Sequence, residues 1–487
     1  MFDKIKELSK DTAIYGISTM VGRFLGFLLV PFYTNVFTTS EYGIFTYLYT
    51  ILAFLNIVYI YGMDASFLKY SSLAKEEEKS DVFSTPFLFV LVTSIAFSIL
   101  FYSFRFDVAK LLDIPSQFQH LTIYIILILL LDTLALIPFA NLRLKRKASK
   151  FAFIKVANIV INLFLNLYLI LVLNYGIEAV FISNLASSAF SLFALTPDLI
   201  RIIRIRINKD TLRTMLKFGL PYLPANIASM MVQMIDVPIL RGMTDDATVG
   251  IYRANYKLGI FMMLFVSMFQ YAWQPFFLNY AKDKEAKKMF SKVFTLFVLA
   301  ASIIWLFVSL FIDNFAAIEF WNGKTLIGKS FLDGIIIVPI VLFAYIFHGM
   351  FVNFTAGIYI EEKTKYFPYV TVTGALVNIG ANFLLIPQYG YIGAALATLA
   401  SYFVMALFLF YFSHKFYPID YEYGKVGTLL LMIIVTGSVY YYLMANGGVA
   451  IPIKFVMVGI FLISIFLFRI VKMSEVKLLI NNLLGNK

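Results

Sequence analysis

The chain has 487 residues, 61% of them hydrophobic and 14% charged, with a mean hydropathy of +0.84. Soluble proteins carry about 45–50% apolar and about 25% charged residues, so a water-soluble fold is excluded for want of polar residues to cover it. The formal net charge is +12, and there is no cysteine, which excludes disulfides and thiolate metal sites.

Residues 1–11 are charged and lead into an apolar stretch too long for the core of a cleavable signal. The first span is therefore expected to act as its own targeting signal. Apolar segments bounded by charged residues or Gly, Pro and Asn follow in chain order at 12–37, 43–66, 82–104, 120–141, 151–173, 177–197 and 215–239, then at 249–278, 289–313, 331–358, 366–387, 391–412, 424–444 and 452–471. At about 20 residues per span they predict an all-α integral membrane protein with 14 transmembrane helices. Spans 5 and 6 are joined only by Asn174, Tyr175 and Gly176, and spans 11 and 12 by Gln388, Tyr389 and Gly390, which makes two tight hairpins.

The basic residues are unevenly spread. The N-terminus, the loops after even-numbered spans and the C-terminus hold 31 of the 40 Lys and Arg, with Arg143, Lys145, Arg146, Lys147, Lys150 and Lys155 assigned to the 4–5 loop. The opposite side holds only Arg105, Lys110, Arg241, Lys324, Lys329 and Lys454. This bias places both termini in the cytosol, and an even span count demands the same. The positive charge is thus a topological signal, and no nucleic-acid partner is expected.

The sequence also repeats itself. Tyr42-Gly43-Ile44-Phe45 after span 1 recurs as Val249-Gly250-Ile251-Tyr252 after span 7, and Tyr175-Gly176 with Leu185-Ala186-Ser187 recurs as Tyr389-Gly390 with Leu399-Ala400-Ser401. Asn162 and Asn166 in span 5 are matched by Asn378 and Asn382 in span 11. Spans 1–6 and 7–12 accordingly read as two homologous six-helix bundles, parallel repeats about an axis normal to the membrane, with two C-terminal helices appended. The expected domains are 1–205, 206–415 and 416–487, joined across the first boundary by the basic linker Asp198–Arg213.

Ionisable residues within spans are costly and mark candidate sites. Arg23 lies about 16 Å into span 1, near the middle of a hydrocarbon core of about 30 Å, and Gly22 and Gly26 leave room beside it. Arg253 and Lys257 stand one turn apart in span 8. These three are the candidate substrate-binding residues, for arginine grips phosphate oxygens bidentately and lysine acts as a point charge. The alternative for each is pairing between helices or snorkelling to an interface. Asp132 in span 4 and His348 in span 10 are candidates for coupling to Na⁺ or H⁺, with pairing inside the bundle as the alternative. Asp64 and Asp236 are expected at interfaces, the four asparagines as interhelical glue, and Tyr47 and Tyr256 as candidates for stacking on sugars. Pro221 and Pro224 in span 7 are hinge candidates. With three histidines and no cysteine, neither a metal site nor any cofactor is expected.

Asp11–Tyr15, Gly22-Arg23-Phe24-Leu25-Gly26, Pro31 and Glu41-Tyr42-Gly43 resemble the opening of bacterial polysaccharide flippases. Gly219-Leu220-Pro221, Pro224-Ala225 and the run from Val249-Gly250-Ile251-Tyr252 to Tyr256-Lys257-Leu258-Gly259 are similar to the same family. Its members export O-antigen, capsule and exopolysaccharide repeat units, within the multidrug/oligosaccharidyl-lipid/polysaccharide (MOP) exporter superfamily. That superfamily also holds the lipid II flippase and the multidrug and toxin extruders. The resemblance covers the whole chain and implies a multi-pass protein of the bacterial inner membrane. It further implies an undecaprenyl-pyrophosphate-linked oligosaccharide as substrate and spans 1 and 8 beside a central cleft. In the lipid II flippase, arginines of the first and eighth helices contact the lipid pyrophosphate. Where the family often has an Asp-Arg pair late in span 7, Asp236 is followed here by Val237, and the nearest arginine is Arg241.

No Walker-type loop is present, and no loop exceeds about 20 residues, so an enzyme is not expected. The favoured expectation is a flippase acting as a monomer, with polysaccharide polymerase and glycosyltransferases as candidate partners in the pathway. The competing expectations are a cation-coupled multidrug exporter and a non-transporting membrane assembly protein.

Overall fold

In hydrocarbon every backbone N–H and C=O must be satisfied within the protein, which leaves long apolar segments no option but helix. The computed structural model describes Met20, Gly22 and residues 24–75, 77–321 and 323–471. Arg23 and the stretch 472–487 lie outside the described residues. Among the described residues, 11 helices are long and apolar enough to cross a membrane, or up to 12 when one bent pair counts as a single span. Two shorter apolar helices, Phe24–Thr34 and Ile451–Leu467, fall where spans 1 and 14 are expected.

The chain divides into two compact units, Met1–Ala254 and Asn255–Lys487. The first holds α1 (Phe24–Thr34), α2 (Thr39–Ile60), α3 (Met63–Leu73), α4 (Lys79–Ser103), α5 (Arg105–Leu111) and α6 (Leu121–Leu144). It continues with α7 (Ala148–Leu171), α8 (Glu178–Ile200), α9 (Lys209–Gly219), α10 (Tyr222–Met234), α11 (Asp236–Met243) and most of α12 (Asp246–Tyr256). A capping box starts α2: the Thr38 hydroxyl accepts from the Glu41 amide at 3.2 Å, and the Glu41 carboxylate accepts from the Thr38 amide at 2.9 Å. The helix ends where Tyr61 and Gly62 take positive φ values of 38° and 75°, so the expected span 43–66 is broken into α2 and α3. A Cβ at Gly62 would strike the carbonyl of Gly219, so the corner needs glycine both for its φ and for its close seat on the end of α9.

The linker expected at Asp198–Arg213 is docked against the first turns of α4. Ser84 Oγ accepts from the Arg204 amide at 2.8 Å, Thr85 Oγ1 accepts from the Asn208 amide at 3.1 Å, and Ser80 Oγ donates to the Ile202 carbonyl at 3.0 Å. Asn208 then caps α9 by accepting from the amides of Asp210 and Thr211.

The second unit holds α13 (Ile260–Tyr280), α14 (Ala286–Ala316), α15 (Val338–Ile360), α16 (Tyr366–Tyr389), α17 (Tyr391–Phe416), α18 (Tyr423–Ala445) and α19 (Ile451–Leu467). One feature departs from the all-α expectation, a small antiparallel hairpin pairing β1 (Glu319–Trp321) with β2 (Lys324–Thr325), which turns at Gly323 with φ 74°. On α19, Lys454 is fully buried and donates to both Asp313 oxygens and to Asn314 Oδ1, each at 2.6 Å, tying α19 to α14.

The asparagine pairs behave alike in the two units. Asn166 Nδ2 donates to the carbonyl and side-chain oxygens of Asn162 at 2.9 and 3.1 Å, and Asn382 Nδ2 does the same to Asn378 at 2.8 and 2.7 Å. Nearby, Asn158 bridges α7 to the Ser187 carbonyl on α8, and Ser401 bridges α17 to the Gly374 carbonyl on α16. The paired asparagines thus bond within their own helices, while Asn158 and Ser401 join neighbouring helices, as polar groups among apolar helices do.

Candidate functional site

Two polar clusters and one close helix crossing interrupt the apolar packing of the first unit. The larger cluster surrounds a cavity of about 420 Å³ lined by Asp64, Asp132, Arg143, Lys155, Asn158 and Asn184, with Ser188 and Ser191 on α8. Asp132 accepts from the Ser188 hydroxyl and is attracted by Lys155. Asn158 donates to Ser191 Oγ at 2.9 Å, and Asn184 donates to the Tyr49 hydroxyl at 3.1 Å. Lys155 Nζ also lies 4.2 Å from the centroid of the Phe139 ring. The cavity thus sets two carboxylates against two cations inside a helical bundle, where an unbalanced charge would be costly.

Two expectations change here. Lys155 is not in the 4–5 loop but two turns inside α7, because that helix already starts at Ala148. Asp64 is not simply interfacial. The break at Tyr61 and Gly62 starts α3 afresh and brings Asp64 to the wall of the cavity.

The second cluster is buried. Asp236, expected at an interface, is only 2% exposed and accepts from the Tyr252 hydroxyl. Its Oδ1 also accepts from the Val237 amide at 3.0 Å. The cause is a bend of 52° between Met234 and Asp236, which starts α11 with Asp236 in its first turn. Pro238 follows in the same turn, where a missing N–H costs nothing. Arg253 is 7% exposed and lies close enough for its charge to act on both Asp236 and Tyr42. A buried charge needs such company.

The crossing joins the two copies of the repeated motif. A Cβ on Gly43 would strike the Asp246 carbonyl and sit 3.1 Å from the Gly250 amide, and one on Gly250 would strike the Thr39 carbonyl and sit 3.1 Å from the Gly43 amide. The backbones of α2 and α12 therefore touch at Gly43 and Gly250. Beside them Arg241 holds the 3–4 loop. Its Nε donates to Asp246 Oδ1 at 2.6 Å, and its Nη atoms donate to the carbonyls of Leu112 and Asp113, each at 2.8 Å. The same guanidinium covers the Tyr47 ring at 4.3 Å. Tyr47 and Tyr256 are both buried, so neither offers a ring face for a sugar in this conformation.

The remaining candidates are dispersed. Arg23 lies outside the described residues. Lys257 opens a 3₁₀ turn, Lys257–Gly259, directly after the α-helix that carries Arg253 ends at Tyr256. His348 sits on α15 with ring centroids 5.0 Å from Tyr402, 6.2 Å from Phe351 and 6.4 Å from Tyr345. Pro221 is the N-cap of α10 and Pro224 lies in its first turn. They mark a short interruption after α9, while the larger bend lies further on, between Met234 and Asp236. Two residues have parts that the sequence did not suggest: Pro238, and Arg241, which read there only as a basic residue of the opposite side. A proline two residues after an aspartate inside an apolar span is a signal for the first. Nothing local marks the role of the second, because the Leu112 and Asp113 carbonyls that it holds are more than a hundred residues away.

The profile of the polysaccharide biosynthesis protein family matches residues 35–333, more than half of the chain. No curated protein sequence matches significantly. Among solved structures, the chain is similar to the lipid II flippase MurJ in an inward closed conformation, with 17% identity, a TM-score of 0.72, and coverage of 94% of this chain and 98% of that one. It is also similar to an inward-facing multidrug resistance MATE family transporter of the MOP superfamily, with 12% identity, a TM-score of 0.66, and coverage of 84% and 96%. A MOP superfamily transporter from Pyrococcus furiosus shares 14% identity at a TM-score of 0.58 over 87% of this chain and 96% of its own. The chain is a multi-pass membrane protein that belongs to the polysaccharide biosynthesis protein family and shares its fold with these solved structures.

Proposed function

We propose that this protein is a flippase that moves undecaprenyl-pyrophosphate-linked oligosaccharide repeat units from the cytosolic to the outer leaflet of the bacterial inner membrane by alternating access. The observation that carries the reading is the family match over residues 35–333, joined to a likeness to a lipid II flippase along nearly the whole chain. In this reading there are fourteen spans. The eleven long helices and the bent pair are completed by the short helices Phe24–Thr34 and Ile451–Leu467, and both termini face the cytosol. Spans 1–6 and 7–12 are homologous bundles. The matched asparagine pairs support the duplication, as does the meeting of two copies of one motif at Gly43 and Gly250, because equivalent residues touch each other where a two-fold axis passes.

Arg23, Arg253 and Lys257 hold the pyrophosphate in this mechanism. Arg253 rests beside Asp236 in the present conformation, so substrate phosphate competes with a resident carboxylate for the guanidinium. Asp132 in its polar cavity and His348 among its aromatic neighbours couple transport to Na⁺ or H⁺. The test is surface glycan in a strain that depends on this chain. Arg23→Gln and Arg253→Gln are each expected to abolish most of it while the protein still reaches the membrane. Unchanged glycan in the double variant would sink the cationic-site mechanism.

One observation favours a second reading, a cation-coupled multidrug exporter: the carboxylates Asp64 and Asp132 share a cavity. Arg143 and Lys155 in the same wall offset them, which ranks this reading lower. If expression raised resistance to cationic drugs, and Asp132→Asn removed that resistance while glycan stayed normal, the exporter reading would prevail.

A further inference from the structure

The second unit carries a cavity that transport of a glycan lipid does not call upon. It has a volume of about 610 Å³, within the range of about 300–1,000 Å³ typical of small-ligand sites. Its rim holds Lys284 just before α14, Lys287, Lys288 and Lys292 from the start of that helix and Lys425 from α18, against the acids Glu285, Asp420 and Glu422. Part of this charge is already engaged. Lys425 donates to Glu422 at 2.6 Å, and Lys287 Nζ lies 4.8 Å from the Tyr417 ring centroid. Lys288 and Glu285 are 3.6 Å apart with side chains 87% and 78% exposed, a pairing that water screens heavily. Five cations against three anions leave the rim positive.

Below the rim one line of the wall turns apolar, while Ser291 and Thr295 keep its neighbour polar. On α14, Lys288, Lys292, Leu296 and Leu299 follow at spacings of four, four and three residues and so form one stripe. Over about 16 Å, at 1.5 Å per residue, that stripe changes from ammonium groups to leucines. Ile470 and Val471, just beyond α19, line the cavity as well. A second recess of about 330 Å³ shares Glu285, Lys288, Lys292 and Leu296 and adds Met289 and Val293. One cationic rim therefore heads two recesses on either side of a single helix stripe, the larger of mixed polarity and the smaller mainly apolar.

We propose that this cavity binds the phosphate headgroup of an anionic two-chain phospholipid, with Lys287, Lys288 and Lys292 around the phosphate and one acyl chain in each recess. Basic pockets between membrane helices at the bilayer surface recognise such headgroups. A free phosphate ion would need the lysines alone, while a lipid needs the leucine stripe and the paired recesses too. The site is independent of the glycan substrate and depends only on this end of α14 lying at the bilayer surface.

The test uses the purified full chain in micelles containing equal phosphatidylglycerol and phosphatidylcholine, with retained lipid counted by native mass spectrometry. The wild type is expected to retain phosphatidylglycerol preferentially. The triple variant Lys287→Gln, Lys288→Gln, Lys292→Gln is expected to lose that preference by about tenfold or more, as removal of three cations from a phosphate demands. Lys288→Arg with Lys292→Arg keeps the charge and the preference, which separates lost recognition from misfolding. Leu296→Asn with Leu299→Asn lowers retention of both lipids. Removing equal charge from α9 by Lys209→Gln, Arg213→Gln and Lys217→Gln leaves the preference intact. The proposal is overturned if the triple variant retains the wild-type preference, or if the α9 variant loses as much. It is overturned equally if millimolar inorganic phosphate displaces the lipid fully, because the site would then read phosphate without chains.

Discussion

The contact of Gly43 with Gly250 makes a quantitative prediction about the conformational equilibrium. In Gly43→Ala the new methyl meets the Asp246 carbonyl and, at 3.1 Å, the Gly250 amide. Both are backbone atoms, so no rotamer change relieves the clash and α2 and α12 must part. Overpacking of this kind costs about 1–3 kcal/mol, and about 2 kcal/mol corresponds to about a 30-fold change in an equilibrium constant at 1.4 kcal/mol per decade. If the crossing opens during alternating access, the substitution destabilises the closed state alone and raises the open population by that factor. The chain has no cysteine, so Val249→Cys, at a position fully buried beside the crossing, is a unique reporter. Its alkylation by a membrane-impermeant maleimide is expected to accelerate by about 30-fold in Gly43→Ala. Gly242→Ala, where an added Cβ meets nothing within 4 Å, should leave the rate unchanged. A second reporter, Val90→Cys in the core of α4 at 1% exposure, should stay protected in both. The reasoning fails if Val249→Cys reacts at the parental rate in Gly43→Ala. It fails equally if Val90→Cys accelerates as much, since the chain is then merely unfolding.

Four further outcomes follow from charge and hydrogen bonding. Tyr252→Phe removes the donor to Asp236 and leaves a buried carboxylate oxygen short of a partner, which should cost about 1–3 kcal/mol in a detergent melt. Asp236→Asn combined with Arg253→Gln should cost less than the sum of the single changes, because the two groups interact. Lys454→Met strands Asp313 and should cost about 3–5 kcal/mol, whereas Lys454→Met with Asp313→Leu should recover most of it; an equal or larger loss in the double variant would contradict the pairing. Burial pushes the Glu422 carboxyl up, but hydrogen bonds from Lys425 and Thr295 and the charges of Lys425 and Lys292 outweigh it and hold the group below the ordinary carboxylate range. Its stabilising contribution is then present above the unfolded value of about 4.3 and is lost as pH falls through the lower folded value. Glu422→Gln should flatten the melting temperature between pH 5 and 3 relative to wild type.

How much of this was legible in the sequence depends on how local the cause was. Spans were legible because twenty apolar residues in lipid have one solution, and the α7–α8 and α16–α17 hairpins were fixed by three-residue breaks. The break of span 2 was hidden, although Tyr61-Gly62 carries it, because the hydropathy runs on unaltered across a corner made by two positive φ values. The burial of Asp236 was hidden for a related reason. Its position near a span end suggested an interface, and only the bend between Met234 and Asp236 turns it inward toward Tyr252. The repeated Tyr-Gly-Ile-Phe and Val-Gly-Ile-Tyr motifs were visible as a duplication, but that the two glycines touch is a fact about the fold that neither copy states alone.

The charges sharpen the mechanism in one respect. Counting basic residues sets Arg23, Arg253 and Lys257 apart from those read as a topological signal, but the count does not say which of the three is available to a ligand. Arg253 is held beside Asp236 at low exposure, where a bare cation could not rest. A carboxylate partner lets the arginine wait in an apolar surrounding, and it also sets a threshold for the ligand. A monoanion offers the guanidinium about what Asp236 already gives, so exchange gains little. A pyrophosphate, with more charge and a bidentate array of oxygens, outcompetes the carboxylate. On that reasoning Asp236 is a selectivity element rather than a spectator. Asp236→Asn is then expected to let single-phosphate lipids inhibit transport, whereas in the wild type only pyrophosphate lipids are expected to compete.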